Sequence, residues 1–78
     1  MVEKLKEGMV LNYNTCDAFD PITHHEYNKH VEKELVLSIK NGRVNLYNLT
    51  TGKKHAIPNE EMDWFLKNKA FEITNEKA

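Results

Sequence analysis

The side chains able to do chemistry gather in one stretch. Cys16, His24, His25 and His30 fall within fifteen residues, with Asp17, Asp20 and Glu26 among them. Thiolate, imidazole and carboxylate are the ligand types of a zinc centre, and a Cys–His pair is also the core of a cysteine nucleophile with its base. Spacing argues against both. On a helix, His24 and His30 are six apart and His25 and His30 five apart, whereas ligands on one face need intervals of three or four. The chain has no CxxC and no HxxxH, and Cys16 lies on the far side of Pro21. The histidines therefore read as polar residues of a solvent-facing segment, with no metal and no cofactor.

Other catalytic patterns are also missing. Gly8, Gly42 and Gly52 sit at a strand start and at turns, so none belongs to a phosphate-cradling loop. Glu60, Glu61 and Asp63 carry the negative charge favoured at a helix N-terminus. The chain reads as a non-enzyme. The residues that could carry binding are Trp64, Tyr47, Tyr27, Lys40 and Arg43. Trp64 falls off the apolar stripe of its helix. It either packs on Phe19 or Tyr27 or stands at the surface as an anchor of the kind enriched in binding hot spots. Tyr47 falls on the outer face of a hairpin. Lys40 and Arg43, with Lys53 and Lys54, cluster at hairpin ends where they could touch phosphates, although exposed turns carry such residues anyway.

The elements that must position these groups are legible in part. Leu35-Val36-Leu37-Ser38-Ile39 and Val44-Asn45-Leu46-Tyr47 flank Asn41-Gly42, a strong hairpin signal. A regular register places Lys40 opposite Arg43, Ile39 opposite Val44, Ser38 opposite Asn45, Leu37 opposite Leu46, and Val36 opposite Tyr47. Leu37, Ile39, Val44 and Leu46 then form the core face. A second turn at Thr50-Thr51-Gly52 leads to His55-Ala56-Ile57, with Ile57 facing inward opposite Leu46. Before the hairpin, Met9, Leu11 and Tyr13 alternate on one face of a first strand. Asp20-Pro21 marks a turn. Thr23 and Glu26 fit a capping box, and Tyr27 and Val31 lie four apart, which together predict a short helix over residues 24–32. After Pro58, Asn59 is a suitable N-cap, Met62, Phe65 and Leu66 share a face, and Asn68 can supply a left-handed stop. Phe71-Glu72-Ile73-Thr74 closes the pattern as a strand.

This string of elements predicts a mainly β fold, either a small SH3-like barrel or an antiparallel meander with one or two short helices. With 78 residues the chain makes one domain, residues 1–78, and a chain this small buries only about 60% of its unfolded surface. Association into a homo-oligomer would add burial. Eleven Lys and Arg against twelve Asp and Glu leave a net charge of −1. Such a balance disfavours duplex binding, which rests on a surplus of cations facing phosphates. A single cysteine, no apolar signal segment and no membrane-length apolar run point to the cytoplasm and away from the membrane.

Val44-Asn45-Leu46-Tyr47, Thr51-Gly52, Ile57, Trp64-Phe65-Leu66 and Phe71-Glu72-Ile73 together resemble a recurrent type among small bacteriophage-encoded proteins. Such proteins run hairpin, glycine turn, short helix and final strand. The resemblance covers roughly the C-terminal half and brings no site residue with it. It implies an accessory protein of a mobile element that binds and inhibits a host protein in the host cytoplasm. The alternative is a small barrel that binds a nucleotide or single-stranded nucleic acid, stacking a base on Tyr47 and holding phosphates with Lys40 and Arg43.

Overall fold

A computed structural model describes the backbone of residues 2–77 and the side chains of residues 2–74. A 3₁₀ turn at Val2–Lys4 precedes β1 (Met9–Thr15), β2 (Ala18–Asp20), β3 (His25–Tyr27), β4 (His30–Lys40), β5 (Arg43–Asn48), β6 (Lys54–Pro58), α1 (Asn59–Lys67) and β7 (Phe71–Lys77). The fold is mainly β, as the sequence predicts. Five strands form one antiparallel sheet in the order β6-β5-β4-β1-β7. The order is linear, and among the described residues no pairing of β6 with β7 closes it into a barrel. Instead α1 links the two edge strands and covers one face. That face buries Leu11, Val36, Val44, Leu46, Ile57 and Phe71 against Met62 and Leu66 of the helix.

The Asn41-Gly42 turn forms with φ of 55° and 73°, the two positive values of a tight hairpin turn whose twist matches its strands. Lys40 pairs Arg43, Ile39 pairs Val44 and Ser38 pairs Asn45, as a regular register requires. Beyond Ser38 the register shifts. Val36 pairs Leu46 and Leu35 pairs Tyr47, leaving Leu37 as the extra residue of a β-bulge. The core row is therefore Val36 with Val44 and Leu46, while Leu37 is 39% exposed. Ile57 does face inward, but opposite Val44, and His55 stands opposite Leu46. This correction has a direct test. Val36→Asp should lower stability by at least about 3 kcal/mol by burying an unpaired charge, whereas Leu37→Asp should stay within about 1 kcal/mol. Urea denaturation of the two variants would settle the register, and the opposite ranking would restore the regular one.

The predicted helix over residues 24–32 does not form. Its place is taken by β3 and the start of β4. The capping-box signal is local, and a single helix of this length with one apolar pair and nothing to pack on is marginal in water. Strand pairing wins because it extends a ladder that already exists. Thr15 pairs His30 at the end of the β1–β4 ladder, and Ala18 pairs Tyr27 in the same register. The segment is thus the distal half of one long hairpin, closed where Asp20 pairs His25. The Asp20-Pro21 turn is present: Asp20 Oδ1 accepts from the amides of Ile22 (2.9 Å) and Thr23 (3.4 Å). Those two amides hold the Asp20 carboxyl below the usual range.

The C-terminal helix is where the sequence places it, with different ends. Pro58 occupies the N-cap position and no side chain caps the helix, while the Asn59 amide donates to the Gly42 carbonyl at 2.9 Å. At the C-terminus Asn68 has φ of −93°, and Lys69 takes the left-handed conformation at φ 61°. Ala70 N–H then donates to Phe65 (2.9 Å) and Lys69 N–H to Leu66 (3.3 Å), a Schellman closure.

Candidate functional site

The bulge at Leu37 decides which polar residues enter the interior. Counting back from Ile39 without it puts Leu35 inside and Glu34 outside. With it the phase flips, and Glu32, Glu34 and Val36 share the inner face. Glu34 lies between Leu11 on β1 and Asn48 on β5 and is 1% exposed. A carboxylate buried so deeply requires donors. His55 Nε2 lies 2.9 Å from Glu34 Oε1, and Asn48 Nδ2 donates to Glu34 Oε2 at 2.9 Å. The same amide donates to Glu32 Oε1 at 2.8 Å. Asn48 Oδ1 accepts from the Thr50 and Thr51 amides, both at 2.8 Å, so Asn48 also organises the turn after β5.

The network continues to His30, whose Nε2 stands 3.0 Å from Glu32 Oε2. His30 Nδ1 lies 2.9 Å from the Asn28 carbonyl and 3.7 Å from Asp17 Oδ1. The Asn28 carbonyl, followed by Glu32, pushes the His30 pKa up. His30, followed by Asn48, holds Glu32 below the usual carboxylate range. One hydrogen-bonded chain thus runs His55–Glu34–Asn48–Glu32–His30 from β6 to the root of the distal hairpin. A cavity of about 360 Å³ opens beside its inner end, lined by Tyr13, Glu34, Thr51, Lys53 and His55 among others. Tyr13 stacks on Phe71 there, with ring centroids 4.8 Å apart.

The distal hairpin of β2 and β3 is the other distinctive feature. Among the described residues, neither strand packs against any other strand or helix. It projects as an arm, in keeping with overall dimensions of 38 × 23 × 21 Å. The arm nevertheless carries large apolar groups: Ile22 at the tip is 88% exposed, Phe19 54% and Tyr27 48%. The Tyr27 ring meets His25 edge-on at 4.3 Å, and Phe19 lies 6.3 Å from His24. Cys16 is a free, half-buried thiol at the arm's root.

The binding residues singled out in the sequence do not converge. Tyr27 stands on the arm. Trp64 is exposed on α1, touching Phe65 edge-on at 5.5 Å. Tyr47 lies on the uncovered face of the sheet opposite Lys54, and Lys40 pairs Arg43 at the far hairpin end. His24 and His25 are separated from His30 along the arm. Among the described residues no group of three or more His, Cys, Asp or Glu side chains is arranged to hold a metal ion. The residues that do converge, Glu32, Glu34, Asn48 and His55, are not among those the sequence singles out. The signal for them is the alternation His30, Glu32, Glu34, Val36, which places three titratable groups and a core residue on one strand face. Compared with protein-family models, with curated proteins and with solved structures, the chain matches none.

Proposed function

We propose that the protein is a non-catalytic binding module that engages a partner protein through its projecting arm. The observation that carries this reading is the arm itself, which among the described residues exposes Phe19, Ile22 and Tyr27 without packing on any other strand or helix. Phe19 shares its face of the arm with Glu26 and Tyr27 shares the other with Ala18, so each face presents one large apolar group and Ile22 stands between them at the tip. Large apolar groups left in solvent in this way mark interaction surfaces. A protein partner fits better than nucleic acid, because the arm and its root carry Asp17, Asp20 and Glu26 against a single Lys29. Taken with the likeness of the C-terminal half to small bacteriophage proteins, the partner is a host protein in the cytoplasm and the effect of binding is inhibition. No helix among the described residues is long and apolar enough to cross a membrane.

The second reading, a nucleotide or single-stranded nucleic-acid site, draws on Tyr47 lying opposite Lys54 on the uncovered sheet face. One experiment separates the two. The protein is immobilised and used to capture partners from host lysate, alongside a triple variant Phe19→Ser, Ile22→Ser, Tyr27→Ser and a single variant Tyr47→Ala. The triple variant should lose at least about 2 kcal/mol of affinity for the captured protein, roughly thirtyfold, with its thermal midpoint preserved. Tyr47→Ala should bind like the parent. Capture abolished by Tyr47→Ala alone, and weakened steeply by salt, would transfer the function to the sheet face.

A further inference from the structure

We propose that protonation of His30 pins the arm to the body, so that capture through the arm weakens when rising pH removes that proton. This rests on the arm being the docking element, and it adds a control to that surface.

The geometry is that of a joint with one pin. Only Cys16, Asp17, Asn28 and Lys29 lie between the last body pair, Thr15 with His30, and the first arm pair, Ala18 with Tyr27. Asn28 adopts a left-handed φ of 54°, which interrupts the extended backbone, and one backbone bond, Asp17 N–H to the Tyr27 carbonyl at 3.0 Å, ties the two chains there. A cavity of about 360 Å³, lined by Asn14, Thr15, Glu26, Lys29, His30 and Val31, lies against the joint.

His30 ties the joint to the body. One ring nitrogen faces the Asn28 carbonyl at 2.9 Å and the other faces the Glu32 carboxylate at 3.0 Å. Both oxygens are acceptors only, so both ring nitrogens must be donors, and that requires the imidazolium. A neutral ring has one N–H. On deprotonation one bond is lost and a nitrogen lone pair is left against an oxygen. Glu32 is a firm anchor because Asn48 ties it to the buried Glu34, which His55 holds from the other side.

The charged groups around the ring agree in sign. Glu32 on its own strand and Asp17 at the arm root face it, and Glu26 of β3 lines the adjoining cavity with Lys29 as the one opposing charge. From β1 only the uncharged Asn14 and Thr15 line that cavity. The raised His30 pKa means that the pin is fully present below the ordinary histidine value of about 6.5 and is lost as pH rises through the raised one. The lowered Glu32 pKa means that its share is present above the ordinary glutamate value of about 4.3 and is lost only as pH falls through the lowered one. The pin therefore holds between those two limits.

Residual dipolar couplings of the arm amides in the full chain read the attachment directly, without any partner. At pH 6 the couplings of Ala18–Tyr27 should fit the same alignment as the five-stranded sheet. At pH 8.5 they should shrink at least twofold while those of the sheet hold. In His30→Gln and Glu32→Gln they should be small at both pH values. Wild-type couplings that match at the two pH values would overturn the inference, and so would a pH response that persists in His30→Gln. Capture of the host protein should fall at pH 8.5 together with the couplings, and capture that ignores pH would overturn the control of binding. Capture that survives the triple arm substitution would sink the docking reading separately, since the couplings still report on the pin.

Discussion

Replacing Asn48 by aspartate should leave the protein marginal or unfolded at neutral pH and let it recover stability on acidification. The Asn48 amide group donates to two carboxylates, Glu32 and Glu34, and its carbonyl oxygen accepts from the Thr50 and Thr51 amides. Aspartate keeps the shape and the acceptor, so the turn after β5 retains its support. It replaces the shared donor with a third negative charge beside a carboxylate that is 1% exposed. Breaking a buried ionic network on one side costs about 3–5 kcal/mol, because the remaining charges are left uncompensated. The whole folding free energy of a chain this length is roughly 4–12 kcal/mol. The variant is therefore marginal or unfolded at pH 7 in a thermal melt.

The pH dependence distinguishes this cause from loss of packing. As pH falls into the carboxylate range, the introduced carboxyl takes up a proton and becomes a donor again. The repulsion fades with it, so stability rises. The parent moves the other way over that range, since the lowered pKa of Glu32 contributes stability that is lost as pH falls through it. Asn48→Ala is the companion: it loses donor and acceptor together and adds no charge, so its melting point should lack the rise at low pH. If Asn48→Asp melts with the parent at pH 7, the chain of hydrogen bonds does not exist in solution.

What the sequence reveals of this fold stops at two places, and each has a physical reason. Asn41-Gly42, the alternation in β1, the apolar stripe of α1 and the closing strand are local signals, and all four are realised. The bulge at Leu37 is not local. Leu35-Val36-Leu37 is apolar throughout, so no alternation reports which residue is extra, and the choice is made by what packs against the inner face. That one residue inverts the facing of everything before it on β4, turning Glu32 and Glu34 from surface charges into the middle of a partly buried network. The arm is the second place. Thr23 and Glu26 satisfy a helix-start pattern, yet the chain on either side of them pairs in a register set by Thr15 with His30, which lies outside the four-residue window of that motif. A capping box is worth about 1 kcal/mol, and continuing an existing ladder outweighs it. The candidate site lies where both local signals fail. Of its two histidines only His30 stands out in the sequence, and for metal chemistry that its neighbours do not support.

Met62 and Trp64 show how burial, rather than residue size, sets the energetic ranking on α1. They sit two positions apart, which turns them to different sides of the helix. Met62 is 0% exposed and packs in the cluster with Leu46, Ile57 and Leu66, at the point where the helix closes over the sheet. Trp64 is 60% exposed, and its ring meets only the edge of Phe65 among the described aromatic pairs. Met62→Ala removes buried methylenes and leaves a cavity that the sheet is too rigid to fill, at a cost of about 2–5 kcal/mol. Trp64→Ala removes the larger side chain but loses little beyond an edge-to-face contact worth about 0.5–1.5 kcal/mol. On the same helix, then, truncating the smaller residue should lower the thermal midpoint by more than truncating the larger one. The helix joins the two edge strands, so the Met62→Ala loss should appear in one cooperative transition that takes the whole sheet with it. Equal midpoints for the two variants, or a lower one for Trp64→Ala, would mean that Trp64 is covered in solution and that the exposed side of α1 is an interface.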